Sequence, residues 1–342
     1  MTYIDENWQL KKLLVELIAD IERGGQAAEY AVTKINDFVT EFGITMEDLN
    51  AIVTDEAAPM KAAFQKTGKH IICPCHLCST ISKHSSELYA VDKKKLPELD
   101  KLLQKVRDLL QKLKDVITLI RGRIYILEKL SISLHQSNAT RWLSSLTSIE
   151  SFLALTEADH ALIYEELKGH VSVSKYLDLK QSKNQLQCIF NVLHPTRHLI
   201  RQFEAEKTPT LHLVVPGLAE LYNHYSTIVN SDDWIEVSMK EAGRLAIKEK
   251  VPLLHDYHYY AVILDPNAKN KIESYILPDR AGNKKTVPDL MDGLKTSVYN
   301  YAVKSGKYQP PQITSAIISP YAAHIQAPEE DFMRIINSEI DR

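Results

Sequence analysis

The chain has 342 residues, 44% of them apolar and 25% charged, which suffices for a sizeable core and excludes a short disulfide scaffold or a disordered tail. Only 11 residues are glycine, against roughly 24 at average usage of about 7%, and this deficit favours helices. Forty-one Lys and Arg against 44 Asp and Glu give a formal charge of -3, so nucleic-acid binding would need a local patch rather than an overall field.

Four cysteines, three of them crowded at Cys73, Cys75 and Cys78, are no framework of a secreted protein and point to a reducing compartment. The segment Met1–Trp8 lacks the basic and apolar regions of a secretory signal. No apolar run approaches the ~20 residues of a membrane helix. These features predict a soluble intracellular protein without membrane partners.

In chain order, the first sixty residues read as strand, strand, helix, strand. Thr2–Ile4 is a short extended piece, Leu10–Ile21 is rich in Leu, Val and Ile, and Ala27–Phe42 repeats apolar residues at helical spacing through Ala31, Ile35, Phe38 and Val39. Leu49–Asp55 reads as a buried strand ending in a carboxylate, and His70–Cys73 as a further strand. From Leu99 the apolar positions 103, 106, 110, 113, 117 and 120 alternate steps of four and three, the stripe of a long helix seeking a partner. Pro97 stands where such a helix begins. Residues 139–240 read as several helices, with turns near Lys207–Thr210 and Ser231–Asp233. Tyr257–Leu264 ends at an Asp265-Pro266 turn, and the Pro-containing tail after Gly306 is the least regular part.

Four features carry candidate chemistry. Asp55, at the end of a strand, is placed as a metal-binding carboxylate of an α/β sheet would be, or as a helix cap. The cluster Cys73, Cys75, His76, Cys78 and His84 contains one Cys-x-x-Cys pair, but structural zinc normally needs two; buried thiols and a hydrogen-bonded histidine are the alternative, and no metal site is assigned. Residues 93–123 hold ten Lys or Arg against four acids, a local excess of six positive charges that tracks phosphates or forms a solvated surface. Lys101, Lys105, Lys112 and Lys114 are the candidate contacts. Arg141-Trp142 could contact phosphate and stack on a base, or anchor a core. Gly-rich phosphate loops, Gly-x-Ser-x-Gly elbows and His-Glu-x-x-His helices do not occur.

Taken in order, Tyr3–Trp8, Ile52–Met60, Cys73-x-x-His76, Thr140-Arg141-Trp142 and Leu264-Asp265-Pro266 resemble the hAT (hobo/Activator-type) superfamily of cut-and-paste DNA transposases. The resemblance implies an α+β, helix-rich fold: a partial ribonuclease H-like α/β core interrupted by a large all-helical insertion. On that reading, residues 1–90 form the N-terminal part of the core and 91–255 the insertion. Residues 256–342 form the return segment and the start of a truncated C-terminal dimerisation region.

Intact members use two Asp and one Glu to hold two divalent Mg or Mn ions. Asp55 matches the second Asp, Arg141 and Trp142 match a pair beside the DNA, and Cys73 with His76 match a motif that supports the core. By the same resemblance the first Asp belongs to a strand before Tyr3 and the Glu follows Arg342, and two small polar residues after Asp55 are replaced by Glu56 and Ala58. One carboxylate cannot hold two cations, so the expectation is no enzyme and no bound cofactor. The expected function is a transposase-derived nuclear protein (cytoplasmic without the resemblance) with residual DNA binding. The alternatives are a protein-interaction or oligomerisation module, pairing with itself or another transposase-like chain through the stripe, and a non-functional remnant. With the central strand outside the chain, either Thr2–Ile4 pairs directly with Leu49–Asp55 or the sheet has a gap.

Overall fold

The computed structural model describes residues 2–4, 10–12, 27–137, 143–205, 208–229 and 233–306. Its strands are short and come in two separate pairs. Strands β1 (Thr2–Ile4) and β2 (Leu10–Lys12) are antiparallel, with Tyr3 opposite Lys11; β3 (Ile52–Thr54) and β4 (His70–Ile72) are parallel, with Val53 opposite Ile71. Of the two expected outcomes for Thr2–Ile4, pairing with the strand at Leu49–Asp55 is not formed, because β1 bonds to β2.

Between and after the strands in chain order come α1 (Ala27–Glu41), α2 (Ala58–Phe64) and α3 (Pro74–His84), and α1 packs on α2. Proline opens both α2 and α3, where its missing N–H costs nothing. The rest of the described chain is helical: α4 (Ala90–Lys95), α5 (Pro97–Arg121), α6 (Ile124–Leu127), α7 (Leu143–Leu153), α8 (Glu157–Leu167), α9 (Val173–Gln181), α10 (Lys183–Phe203), α11 (Leu211–Ser226), α12 (Trp234–Lys250), α13 (Asp256–Ile263), α14 (Ile272–Tyr275) and α15 (Val287–Lys304). A helix-rich α+β fold is thus observed. Its helix starts follow local chemistry: Thr156 and Asp159 make a reciprocal capping box on α8, Asp233 accepts from the Ile235 N–H on α12, and Thr286 accepts from the Asp289 N–H on α15.

One continuous apolar core runs from Ile72 to Leu294. Helices α10, α11 and α12 pack on one another at its centre, α3 packs on α10 and α12, and α5 packs on α7, α9 and α12. Helix α3 joins the strands to the helices, since its Leu77, Cys78 and Ile81 are all buried. Two glycines set how closely the central helices approach. A Cβ on Gly243 would lie 2.6 Å from the Tyr225 ring, and one on Gly217 would lie 2.8 Å from a Leu199 methyl. The stripe on α5 faces inward: Leu103, Val106, Leu113, Ile117 and Ile120 are buried in their own chain. A coiled-coil pairing of that stripe with another chain would have to unpack this core.

Candidate nucleic-acid interface and the Asp55 loop

Asp55 follows β3 directly and is exposed. Its Oδ1 accepts the Ala57 N–H at 3.0 Å, so the carboxylate satisfies a backbone donor at the entry to α2. Thr54 beside it donates to the Asp55 carbonyl at 2.9 Å and lies 2.7 Å from His70 Nε2 across the strand pair. Burial, then the nearby Lys61 ammonium, holds the His70 imidazole below its ordinary value.

The next residue is locked into a buried charge cluster. Both oxygens of Glu56 accept from Lys250 Nζ, at 2.7 and 2.8 Å, and each side chain of the pair is only 9% exposed. Lys61 adds a contact at 3.3 Å. Burial pushes the Glu56 carboxyl up, but the Lys250 ammonium outweighs it, and the net shift is downward.

Close by, Arg280 grips buried Asp92 through two bonds of 2.6 and 2.7 Å. Its Nε also lies 2.5 Å from a Glu249 oxygen, as an ion contact too poorly aligned for a hydrogen bond. Lys250 and Arg280 both lie over the ring of Tyr89, which stacks on His84 at 3.6 Å. Burial raises the Tyr89 phenol, and its hydroxyl has no partner among the described residues. This cluster ties the Asp55 loop to α4, to the end of α12 and to the segment after α14. Asp92, Lys250 and Arg280 stand far apart in sequence and carried no local signal; only their pairing makes them legible.

Such an arrangement does not fit a divalent cation. Glu56, the carboxylate nearest Asp55 in sequence, is neutralised by Lys250, and among the described residues no group of three His, Cys, Asp or Glu could hold a metal ion.

Cys73 forms the turn from β4 into α3. Its N–H donates to the Thr54 carbonyl at 2.7 Å and its carbonyl accepts from Leu77 at 3.0 Å. The Cys75 thiol beside it holds the Cys73 thiol down, while burial pushes Cys78 up to about 12. His76 is exposed and its side chain takes no part in the core; Cys75 packs there instead, its Sγ 3.9 Å from the Ile200 carbonyl.

The candidate lysines divide by geometry. At about 100° per residue, Lys101, Lys105 and Lys112 share an arc of about 40° that borders the buried stripe of α5 near Leu109 and Val116, whereas Lys114 lies about 160° away. Lys101 pairs with Glu98 at 2.7 Å and Lys112 with Asp178 at 3.4 Å, both solvated contacts worth little. Lys105 Nζ stands 5.7 Å above the ring centroid of Trp234, the first residue of α12. Asp108 and Asp115 lie along the flank of this arc, engaged by Gln104 and Gln111 at 2.8 and 2.7 Å.

Other basic residues of the region are committed elsewhere. Arg107 donates to the Ser86 carbonyl, Arg121 to the Leu134 carbonyl, Arg123 to the Leu119 carbonyl, and Lys93 pairs with Glu87. Arg141 and Trp142 lie outside the described residues. Trp234, which the sequence reading did not single out, is brought to the lysine arc by the packing of α12 on α5.

No protein-family model matches the chain. Zinc finger protein 618 from mouse and zinc finger protein 618 from human are each 24% identical to it over 253 residues, which cover 73% of this chain and 24% of each relative. The chain therefore spans about a quarter of the length of the curated relatives it matches. No described helix is long and apolar enough to cross a membrane.

Proposed function

We propose that this chain is a transposase-derived, nuclear DNA-binding scaffold of hAT type that does no strand-transfer chemistry. The observation that carries it is the arc of Lys101, Lys105 and Lys112 on α5, whose carboxylate partners among the described residues, Glu98 and Asp178, are solvated and salt-screened. Phosphates exchange readily with such partners. The hAT resemblance draws support from the strands: an antiparallel pair and a parallel pair fit the two sides of the central strand of a ribonuclease H-like sheet. A zinc finger protein among the relatives agrees with a nucleic-acid role. The lock of Glu56 on Lys250 beside Asp55 favours a structural rather than catalytic use of that loop.

The test is fluorescence anisotropy of a labelled duplex across a salt series. Each lysine that contacts a phosphate adds about 0.9 to the slope of log affinity against log salt. Changing Lys101, Lys105 and Lys112 together to Gln should lower the slope by about 2 to 3, and Lys114→Gln should leave it unchanged. Salt-independent binding, or a slope equally reduced by Lys114→Gln, overturns the assignment of this face. Absence of any binding at low salt by folded protein removes the DNA reading.

A further inference from the structure

We propose that Trp234 is a stacking platform for an unpaired base of single-stranded DNA, from which Lys105 swings away to the adjoining phosphate. This rests on the nucleic-acid reading of the α5 lysines and specifies the form of DNA they hold. Trp234 is only partly buried, packing one side on the core. The charged end of Lys105 stands over its ring, so that ring face is turned toward a solvated lysine rather than toward apolar packing.

Three features place a base there. First, Asp233 caps α12 through the Ile235 N–H at 2.9 Å, which fixes Trp234 in the first turn of a 17-residue helix. Second, Lys101 and Lys112 lie on either side of Lys105 along the same arc of α5, about 6 Å and about 10 Å away along the helix axis, so the three line one track for a phosphate backbone. Third, the exchange is favourable in magnitude. A lysine over an exposed ring is worth about 2- to 5-fold in an equilibrium, whereas a base stacked on an aromatic side chain is worth about 5- to 150-fold. The base displaces the ammonium from the ring, and the ammonium gains the phosphate. Every base has a π-face, so the preference is for unpaired over paired DNA with little dependence on sequence.

The experiment compares labelled oligothymidylate with a labelled duplex by anisotropy. Trp234→Ala should weaken oligothymidylate binding about 5- to 150-fold, Trp234→Phe should retain most of the affinity, and the duplex affinity should stay unchanged in both. A folded Trp234→Ala protein that binds oligothymidylate as tightly as its parent overturns the proposal, as does equal weakening on both DNA forms. Should Trp234→Ala fail to fold, Trp234→Leu, which keeps apolar bulk but has no π-face, takes its place; it should weaken oligothymidylate binding as strongly, and undiminished binding by the folded variant overturns the proposal. Duplex binding that keeps its lysine-dependent salt slope while Trp234 has no effect refutes the stacking alone; loss of duplex binding refutes the reading beneath it.

Discussion

Lys250→Met provides the sharpest test of the charge cluster that holds the Asp55 loop. The substitution removes the only cation bonded to both oxygens of Glu56, leaving a 9%-exposed carboxylate with Lys61 at 3.3 Å. Removing one partner of a buried pair costs about 3–5 kcal/mol, and the remaining Lys61 contact places the expected loss near the lower end, at about 3 kcal/mol. Changing Glu56 to Met as well removes the stranded charge, and the double variant should lie within about 1 kcal/mol of the parent.

Urea denaturation followed by circular dichroism at neutral pH measures the parent, Lys250→Met, Glu56→Met and the double variant. Acid supplies an internal check. The Glu56 carboxyl is held below its ordinary value of 4.5, so its stabilising contribution is present above that pH and is lost as pH falls through the lowered value. The gap between the parent and Lys250→Met should therefore narrow below about pH 4.5. A single variant within about 0.5 kcal/mol of the parent, or a double variant as costly as the two singles together, would refute the buried-pair account.

Two further perturbations probe the core. His160 and His258 are each 1% exposed with an Nε2 that has no partner, and burial lowers both to about 4. The unfolded chain takes up protons near 6.5 while the folded chain does not, so stability is complete above pH 6.5 and falls between there and pH 4, by at most about 3 kcal/mol per histidine. Melting temperatures across that range should drop, and replacing both histidines with Gln should flatten the profile; an unchanged profile contradicts the assignment. Gly243→Ala places a methyl 2.6 Å from the ring of Tyr225, itself 1% exposed, and should cost about 1–3 kcal/mol by overpacking. Denaturation with no loss of stability would show that α11 and α12 can separate without penalty.

Much of the secondary structure was legible from local pattern. Pro97 and the stripe from Leu99 to Ile120 are realised as α5, which opens at Pro97 itself; short strands form inside the expected runs, with Ile52–Thr54 narrower than Leu49–Asp55, His70–Ile72 within His70–Cys73, and Leu10–Lys12 at the start of Leu10–Ile21, whose remainder lies outside the described residues. Of the expected turns at Lys207–Thr210 and Ser231–Asp233, residues 207, 231 and 232 lie outside the described residues, while residues 208–210 and Asp233 precede the starts of α11 and α12. The candidate site was legible only in part. Asp55 was open to two readings, metal ligand or helix cap; its carboxylate bonds the N–H of Ala57, the N-cap residue of α2, and does not cap the helix itself. Ten basic residues counted along 93–123 proved unequal: Arg107, Arg121 and Arg123 are bonded to carbonyls, whereas Lys101 and Lys112 make solvated ion pairs and Lys105 stands over Trp234.

The amino-acid sequence by itself determined where helices start, which face of α5 is apolar and where basic charge accumulates, because these depend on neighbours within a few residues. Tertiary structure alone decided that Glu56 meets Lys250, that Arg280 meets Asp92 and that Lys105 covers Trp234. Such contacts join residues more than a hundred positions apart, and no local preference encodes them. They form only when helices α4, α5 and α12 close on one core and burial makes each charge find a partner or face water.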